Sequence, residues 1–142
     1  MKRFWIIFYL FVISACGHQD VVCRYWWIKN ITDEPVHISF KQPLIGGWNK
    51  ETVLSPGDSV LIQRKVDLEK SVVKEESYFE NDFTVDSISV ISMKEDKGAL
   101  FDRTRTHRIF RHSSWSFYKP VGNGYNFVWV YDLDNLDLIE VD

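Results

Sequence analysis

The sequence predicts an all-β protein, and more narrowly a mostly antiparallel β-sandwich. Val36, Ile38 and Phe40 alternate with polar residues, which is the pattern of a strand with one buried face. Turn signals such as Pro56-Gly57 recur at intervals of about ten residues, a spacing typical of sandwiches and small barrels. Strands do not alternate with helical patterns, so the sequence excludes a doubly wound α/β fold.

The first half of the chain reads as strands joined by turns. Residues 21–31 are rich in aromatic and β-branched side chains and form the first predicted strand. Proline and glycine mark the connections, because proline fixes φ and glycine accepts positive φ. The predicted elements are turn 32–35, strand 36–41, loop 42–49, turn 55–58 and strand 60–65.

The second half is less regular. Residues 67–82 are acid-rich and predict an exposed excursion or a long hairpin. Residues 83–85 and 88–90 are both strand-like but have opposite parity, which predicts a bulge between them. Residues 125–131 are apolar on both faces, so this strand should lie in the centre of a sheet. The remaining predictions are a hairpin turn at 95–98, a strand at 106–112, and a short helix or terminal strand within 133–141.

The N-terminus has the layout of a secretory signal. Lys2 and Arg3 precede ten apolar residues (4–13), and small residues lie directly before Cys16. Ten residues are too few for a helix that crosses a bilayer, which needs about 20. The alternative is a buried element at the start of a soluble domain. That alternative must explain the basic start, the absence of acids before Asp20, and the position of Cys16.

Residues 13–16 (Ile13-Ser14-Ala15-Cys16) resemble the lipobox of bacterial lipoproteins. The resemblance implies that residues 1–15 are a signal peptide and that Cys16 is acylated and becomes the mature N-terminus. Residues 16–20 are then a lipidated tether and residues 21–142 the β-sandwich domain. Two or three acyl chains would hold the protein stably in the outer membrane, facing the periplasm or the cell exterior.

Three further segments resemble small lipoproteins of the Bacteroidota. They are residues 30–36 (Asn-Ile-Thr-Asp-Glu-Pro-Val), residues 54–60 (Leu-Ser-Pro-Gly-Asp-Ser-Val) and residues 86–90. In that group such turns belong to an Ig-like or transthyretin-like β-sandwich, so the resemblance implies this fold. It implies no activity and no catalytic residues.

Composition limits the classes of partner and chemistry. Residues 16–142 carry 15 basic and 20 acidic side chains, a charge of −5, which argues against nucleic acid as a partner. If Cys16 carries lipid, Cys23 has no disulfide partner within the chain. We expect Cys23 to be a small buried residue, the alternative being a reactive or metal-binding thiol.

No catalytic, cofactor or metal motif is present. The four histidines have no paired-ligand spacing, and residues 132–137 lack the glycine that a calcium loop needs at its sixth position. We expect residues 132–137 to be a solvated acidic end rather than a calcium site. The sequence therefore predicts no catalytic residue, no metal and no cofactor.

A basic stretch over residues 97–111 has two interpretations. It contains Arg103, Arg105, Arg108 and Arg111. As an open stripe it would suit anionic lipid or an acidic partner. We expect instead that its arginines pair with the acidic segment 67–82 or with the acidic tail.

Trp48 and Trp115 are the candidate ligand-binding residues. Both lie in predicted loops, where a tryptophan either stacks on a ligand such as a sugar or packs onto its own domain. We expect packing for at least one of them. The sequence therefore predicts a non-catalytic interaction or accessory module that is anchored to the membrane and binds an envelope protein or glycan. The alternative is a surface carbohydrate-binding lipoprotein, and a hydrolase is a third possibility.

Overall fold

A computed structural model describes residues 20–41, 49–69, 74–94, 96–103, 107–119 and 125–140. These residues form two β-sheets, one short α-helix and two turns of 3-10 helix. The strands are β1 (Asp20–Asn30), β2 (Val36–Lys41), β3 (Asn49–Leu54), β4 (Ser59–Glu69), β5 (Ser87–Ser92), β6 (Lys97–Asp102), β7 (Ser116–Tyr118), β8 (Tyr125–Leu133) and β9 (Ile139–Glu140). The helix is α1 (Glu75–Asp82), and the 3-10 turns are Arg108–Phe110 and His112–Ser114.

The strands form a four-stranded and a five-stranded sheet. The four-stranded sheet has the order β4-β1-β8-β7, and the five-stranded sheet has the order β3-β2-β5-β6-β9. All pairs are antiparallel except β1 with β8. Buried residues of both sheets form one core, so the predicted, mostly antiparallel β-sandwich is confirmed. The prediction of a central position for residues 125–131 is confirmed as well, since β8 lies between β1 and β7.

Strand β1 shows how the sequence pattern builds the four-stranded sheet. Val22, Trp26 and Ile28 are fully buried, whereas their neighbours along the strand are partly or largely exposed. The pairing with β4 shifts by one residue between Trp26 and Trp27, which marks a bulge. Strand β1 therefore has an inner face toward the core and an outer face toward solvent.

The turn motifs at residues 30–36 and 54–60 meet each other in space. The Asn30 side chain donates to the carbonyl oxygens of Glu34 (2.9 Å) and Leu54 (3.0 Å) and accepts from Thr32. Gly57 has φ +88°, and its amide donates to the Asn30 carbonyl at 2.7 Å. Glycine suits this position because other residues are strained at positive φ. The two motifs thus form one hydrogen-bonded corner of the sandwich.

The prediction for residues 67–82 is wrong in its second half. Residues 75–82 form helix α1, not an exposed excursion or a hairpin, and Tyr78, Phe79 and Asp82 on it are buried. Glu75 and Glu76 lie in the first turn, where their negative charges interact favourably with the positive end of the helix dipole. The helix is short and lacks a side-chain N-cap, which removes the usual sequence signals of a helix.

Two predicted strands are also wrong. Residues 83–86 form an irregular connection into β5 in which Phe83 and Val85 are buried, so no bulge is needed between the two parities. In the second predicted strand, His107 is extended, but the residues that follow it form 3-10 turns. In both places the apolar residues fill the core without strand pairing, so their β-propensity was misleading.

Candidate binding cleft

A cleft of about 460 Å³ lies beside helix α1. One wall is α1, and the other is the segment that carries the two 3-10 turns. The residues that line it are Glu76, Phe79, Glu80, Phe83, Arg103, Phe110, Arg111, His112 and Ser113. Its volume lies within the range of about 300–1,000 Å³ that is usual for ligand sites.

The wall formed by α1 is fixed by a group of charges that we call the Arg24 cluster: Arg24, Lys65, Asp67, Glu69 and Asp82. Arg24 points inward from β1 and is only 1% exposed. Its guanidinium contacts Asp82 at the end of α1 (2.5 Å), Glu69 (3.2 Å) and Asp67. Lys65 also donates to Asp82 at 2.5 Å, and this hydrogen bond raises the Lys65 pKa. The end of the helix is thereby tied to β1 and β4.

Two uncharged side chains, Tyr78 and Gln63, complete the attachment of α1. The Tyr78 hydroxyl donates to Glu69, and the Tyr78 ring lies 4.7 Å from the Arg24 guanidinium carbon. Gln63 donates from its amide nitrogen to the Asp82 carbonyl and accepts from the Thr84 amide. Both ends of the Gln63 amide therefore hold the chain where α1 ends.

The opposite wall is fixed by Arg108. Its guanidinium donates to both carboxylate oxygens of Asp137 (3.0 and 2.9 Å) and to Asp134 (2.9 Å). These hydrogen bonds raise the Arg108 pKa still further above its ordinary value. The Tyr131 hydroxyl donates to Asp137 at 2.8 Å, and burial raises the Tyr131 pKa. The 3-10 turns are thus joined to the end of β8.

His107 begins this wall. Its Nδ1 accepts a hydrogen bond from the Ile109 amide at 3.1 Å and so caps the first 3-10 turn. The imidazole stacks on Phe101 with ring centroids 4.1 Å apart. Burial lowers the His107 pKa, and the nearby Asp137 only partly opposes this effect. The imidazole is therefore neutral at pH 7, as its role as a hydrogen-bond acceptor requires.

The floor of the cleft is aromatic. Phe79 and Phe83 are almost fully buried, whereas Phe110 is half-buried and offers part of its ring to the cleft. The guanidinium of Arg103 lies 5.6 Å from the Phe83 ring and 5.5 Å from the Phe110 ring. Arg103 also donates to the carbonyl oxygens of Phe83 and Val85. These contacts hold its charge at the edge of an apolar surface.

Charges of opposite sign face each other at the rim. Glu76 and Glu80 lie one helical turn apart on α1, so their side chains share one face. Arg111 is exposed on the other wall, beside His112 and Ser113. Nε2 of His112 is buried and has no hydrogen-bond partner among the described residues. The cleft thus offers an apolar floor between an acidic and a basic wall.

The residues singled out from the sequence lie mostly elsewhere. Trp115 is 7% exposed, packs against Phe79, Phe83 and Tyr131, and donates from its indole nitrogen to the Ile109 carbonyl at 2.7 Å. It supports the cleft from behind and presents no open ring face for a sugar. Trp48 and Cys16 lie outside the described residues, as does the whole predicted signal peptide.

Two expectations about single features differ from the structure. Cys23 is partly exposed on the outer face of β1 rather than buried, since it alternates with the buried Val22 and Arg24. The acidic residues 132–137 are not simply solvated, because Asp137 is buried and bound to Arg108.

The basic stretch divides into several roles. Arg108 pairs with the acidic tail, which is the internal pairing that we expected. Arg103 binds backbone carbonyls, with Asp86 3.9 Å away, and Arg111 stays exposed at the cleft. Arg105 lies outside the described residues.

The described part of the chain shows no group of three or more metal-ligand side chains close enough to hold an ion. Among the described residues, neither His112 nor Ser113 makes a side-chain hydrogen bond.

The cleft was not predicted from the sequence. Its walls come from three separated segments, 76–83, 103 and 110–113. The sequence predicted an exposed excursion or hairpin over the first of them and a strand over most of the last. The one sequence feature that could have indicated a cleft is that apolar and charged residues lie next to each other in two of these segments, 76–83 and 110–113. Such a pattern predicts solvent exposure as readily as a cleft.

Comparisons of the chain with protein-family models, with curated proteins and with solved structures give no match. Within the described residues, no helix has the length and apolar character required to span a membrane.

Proposed function

We propose that this protein is a lipid-anchored component of the bacterial cell envelope whose β-sandwich is a non-catalytic binding module. Its ligand would be a peptide segment of an envelope partner, held in the cleft beside α1. Cys16, as the acylated residue of a small Bacteroidota-type lipoprotein, would provide the anchor in the outer membrane. No cofactor or metal takes part in this proposal.

The observation that carries the proposal is the arrangement of the cleft lining. An apolar floor at Phe110 lies between the acids Glu76 and Glu80 and the base Arg111. A peptide carries apolar, positive and negative side chains at short spacing, so it matches all three surfaces. A neutral sugar would leave both charged walls without partners, and buried, unpaired charges weaken binding.

The rigidity of both walls supports a binding role. Helix α1 is held by the Arg24 cluster, and the opposite wall is held by Arg108 and Trp115. A site that is ordered before binding loses less conformational entropy when the ligand arrives.

The proposal can be tested by peptide selection. Purified mature protein would be screened against a phage-displayed peptide library, and selected peptides would be titrated by calorimetry. We expect amphipathic peptides with charged residues of both signs. Arg111→Glu reverses one wall without disturbing a buried residue, and it should weaken binding at least tenfold, or about 1.4 kcal/mol.

Arg64→Glu is the matched control, because Arg64 is an exposed arginine on β4 outside the cleft lining. It should bind the selected peptides like the parent protein. Equal losses in both variants, or no selected peptide at all, would reject the cleft as the site. A glycan array tests the alternative: a glycan that the parent protein binds and that is lost on replacement of Trp48 would favour carbohydrate binding.

A further inference from the structure

The outer face of the four-stranded sheet is largely apolar. On β1, Val21, Cys23, Tyr25 and Trp27 all point away from the core. Their partners in the β4 and β8 registers and on β7 continue this surface, which we call the apolar face. Its further members are Leu61, Val66, Leu68, Tyr118, Val128 and Val130.

Several apolar side chains of this surface are strongly exposed. Val21 is 49% exposed, Val66 44%, Leu68 63% and Tyr118 55%. The outer face of the five-stranded sheet carries His37, Ser39 and Ser89 at its centre, and the exposed apolar residues Val53, Ile91 and Leu100 lie around them. A contiguous exposed apolar patch of a few hundred Å² is often functional.

The position of the apolar face relative to Cys16 indicates its partner. Val21 and Leu68 are paired at the end of the sheet where β1 begins. Only four peptide units separate Cys16 from Asp20, so this end lies within about 14 Å of an acyl chain attached at Cys16. An apolar surface held so close to a bilayer is at a high effective concentration for contact with it.

The side chains at the apolar face suit an interface between water and lipid. Tyr25 and Trp27 are the residue types that concentrate at the boundary of a bilayer. The guanidinium of Arg64 lies 5.9 Å from the Tyr25 ring, and exposed Lys29 continues the outer side of β1. Long basic side chains can keep their charge at the headgroups while their stems cover apolar surface.

A second copy of the chain fits less well. From the strand spacing and rise, the apolar face measures roughly 15 by 20 Å, on the order of 300 Å². A stable dimer buries about 800 Å² per partner. A bilayer does not require that area, since the acyl chains supply the main attachment and the face only sets the orientation.

We propose that the apolar face lies against the headgroup region of the membrane that holds the Cys16 anchor. This inference rests on the lipid anchor of the proposed function. It places the four-stranded sheet toward the bilayer and the five-stranded sheet toward the aqueous side.

The test uses a fluorescent label on Cys23, which is the only free thiol once Cys16 is acylated. Mature lipoprotein labelled with bimane would be reconstituted in phosphatidylethanolamine–phosphatidylglycerol vesicles with or without headgroup-proximal doxyl lipid. An apolar face buried about 5–10 Å into the interface should let the quencher reduce the Cys23 signal about twofold or more. The control is Cys23→Ser with Ser39→Cys, which places the label on the outer face of the five-stranded sheet and should show little quenching.

A charge variant strengthens the test. Leu68→Glu should abolish quenching at Cys23 although the protein still floats with the vesicles. Leu100→Glu is the matched control, because Leu100 is similarly exposed (58%) on the other sheet, and it should keep the quenching.

Each outcome decides between the claims. Quenching at residue 23 alone, lost in Leu68→Glu, supports the docked orientation. Flotation with equal or no quenching at both labels overturns docking but leaves the anchor intact, and a cross-linked dimer through the apolar face overturns it in favour of a second copy. Failure to float overturns both the anchor and the docked orientation.

Discussion

At the scale of single residues, the Arg24 cluster buries charge and should therefore be sensitive to change. A guanidinium that is 1% exposed needs charged partners, because a buried unpaired charge is strongly unfavourable. Its two terminal nitrogens contact three carboxylates, whereas its buried Nε has no hydrogen-bond partner among the described residues. Asp82 is the central partner, since it binds both Arg24 and Lys65. Its backbone carbonyl also accepts from Gln63.

Asp82→Asn should therefore destabilise the protein much more than a typical polar substitution. Arg24 and Lys65 lose the carboxylate that they share, although Arg24 keeps Asp67 and Glu69, and this should lower the free energy of unfolding by about 1.5–3 kcal/mol. Urea denaturation would measure the loss. Asp86→Asn is the control, because the Asp86 side chain is 60% exposed and its contact with Arg103 is long, at 3.9 Å. This substitution should cost less than about 1 kcal/mol. Similar costs for both variants would contradict the role assigned to Asp82.

His107 should make stability depend on pH. Its pKa is lowered in the folded protein by burial, so the unfolded chain binds the proton more readily. The stability contributed by the neutral His107 side chain is complete above the ordinary histidine pKa near 6.5. It is lost as the pH falls from that value through the lower pKa of the folded protein. His107→Asn keeps a cap acceptor for the Ile109 amide but does not titrate. It should show a smaller loss of stability between about pH 7.5 and pH 5.5 than the parent protein. His37→Asn, a replacement on the outer face of β2, serves as the control, and an unchanged slope in His107→Asn would reject this explanation.

At the scale of elements, the sequence predicted the strands with clear alternation and missed the elements that build the cleft. Strands such as β2 and β8 could be predicted because every second side chain faces the core, and this gives an alternating pattern in the sequence. Helix α1 does not, because only Tyr78, Phe79 and Asp82 on it are buried and its attachment depends on Arg24, far away in sequence. The 3-10 turns are likewise held by Asp137 and Trp115, contacts between distant segments that local patterns do not reveal.

Trp115 joins the 3-10 turns to the aromatic core, so its removal should unfold this region. Trp115→Ala should lower the free energy of unfolding by about 3–5 kcal/mol through the cavity that it leaves. Trp115→Phe keeps a ring beside Phe79 and Phe83 but loses the hydrogen bond to Ile109, and it should cost clearly less. Thermal unfolding would compare the two. An alanine variant that melts like the parent protein would instead support an exposed, ligand-stacking tryptophan.

At the scale of the whole molecule, the described residues form two surfaces that suit different partners. The cleft lies between α1 and the 3-10 turns, and the apolar face covers the outside of β1 and its neighbours. The fold could be predicted because alternation and turns suffice to specify a sandwich. Neither surface could be predicted in full, because each depends on which strands become neighbours. The parallel pairing of β1 with β8 joins two strands that are about 100 residues apart in the sequence.

The predicted anchor determines whether these surfaces meet a membrane at all. Cys16 is the proposed acceptor of the first acyl group, and serine at this position offers no thiol for that reaction. Each buried methylene contributes about 0.8 kcal/mol, so two or three chains hold a protein stably, whereas one chain binds only reversibly. Cys16→Ser should therefore leave the detergent-extracted membrane fraction or keep its uncleaved N-terminal segment, as judged by fractionation and by mass. Cys23→Ser removes the other thiol and should fractionate like the parent protein. If the two variants behave alike, Cys16 is not the site of attachment, and the envelope function proposed here fails with it.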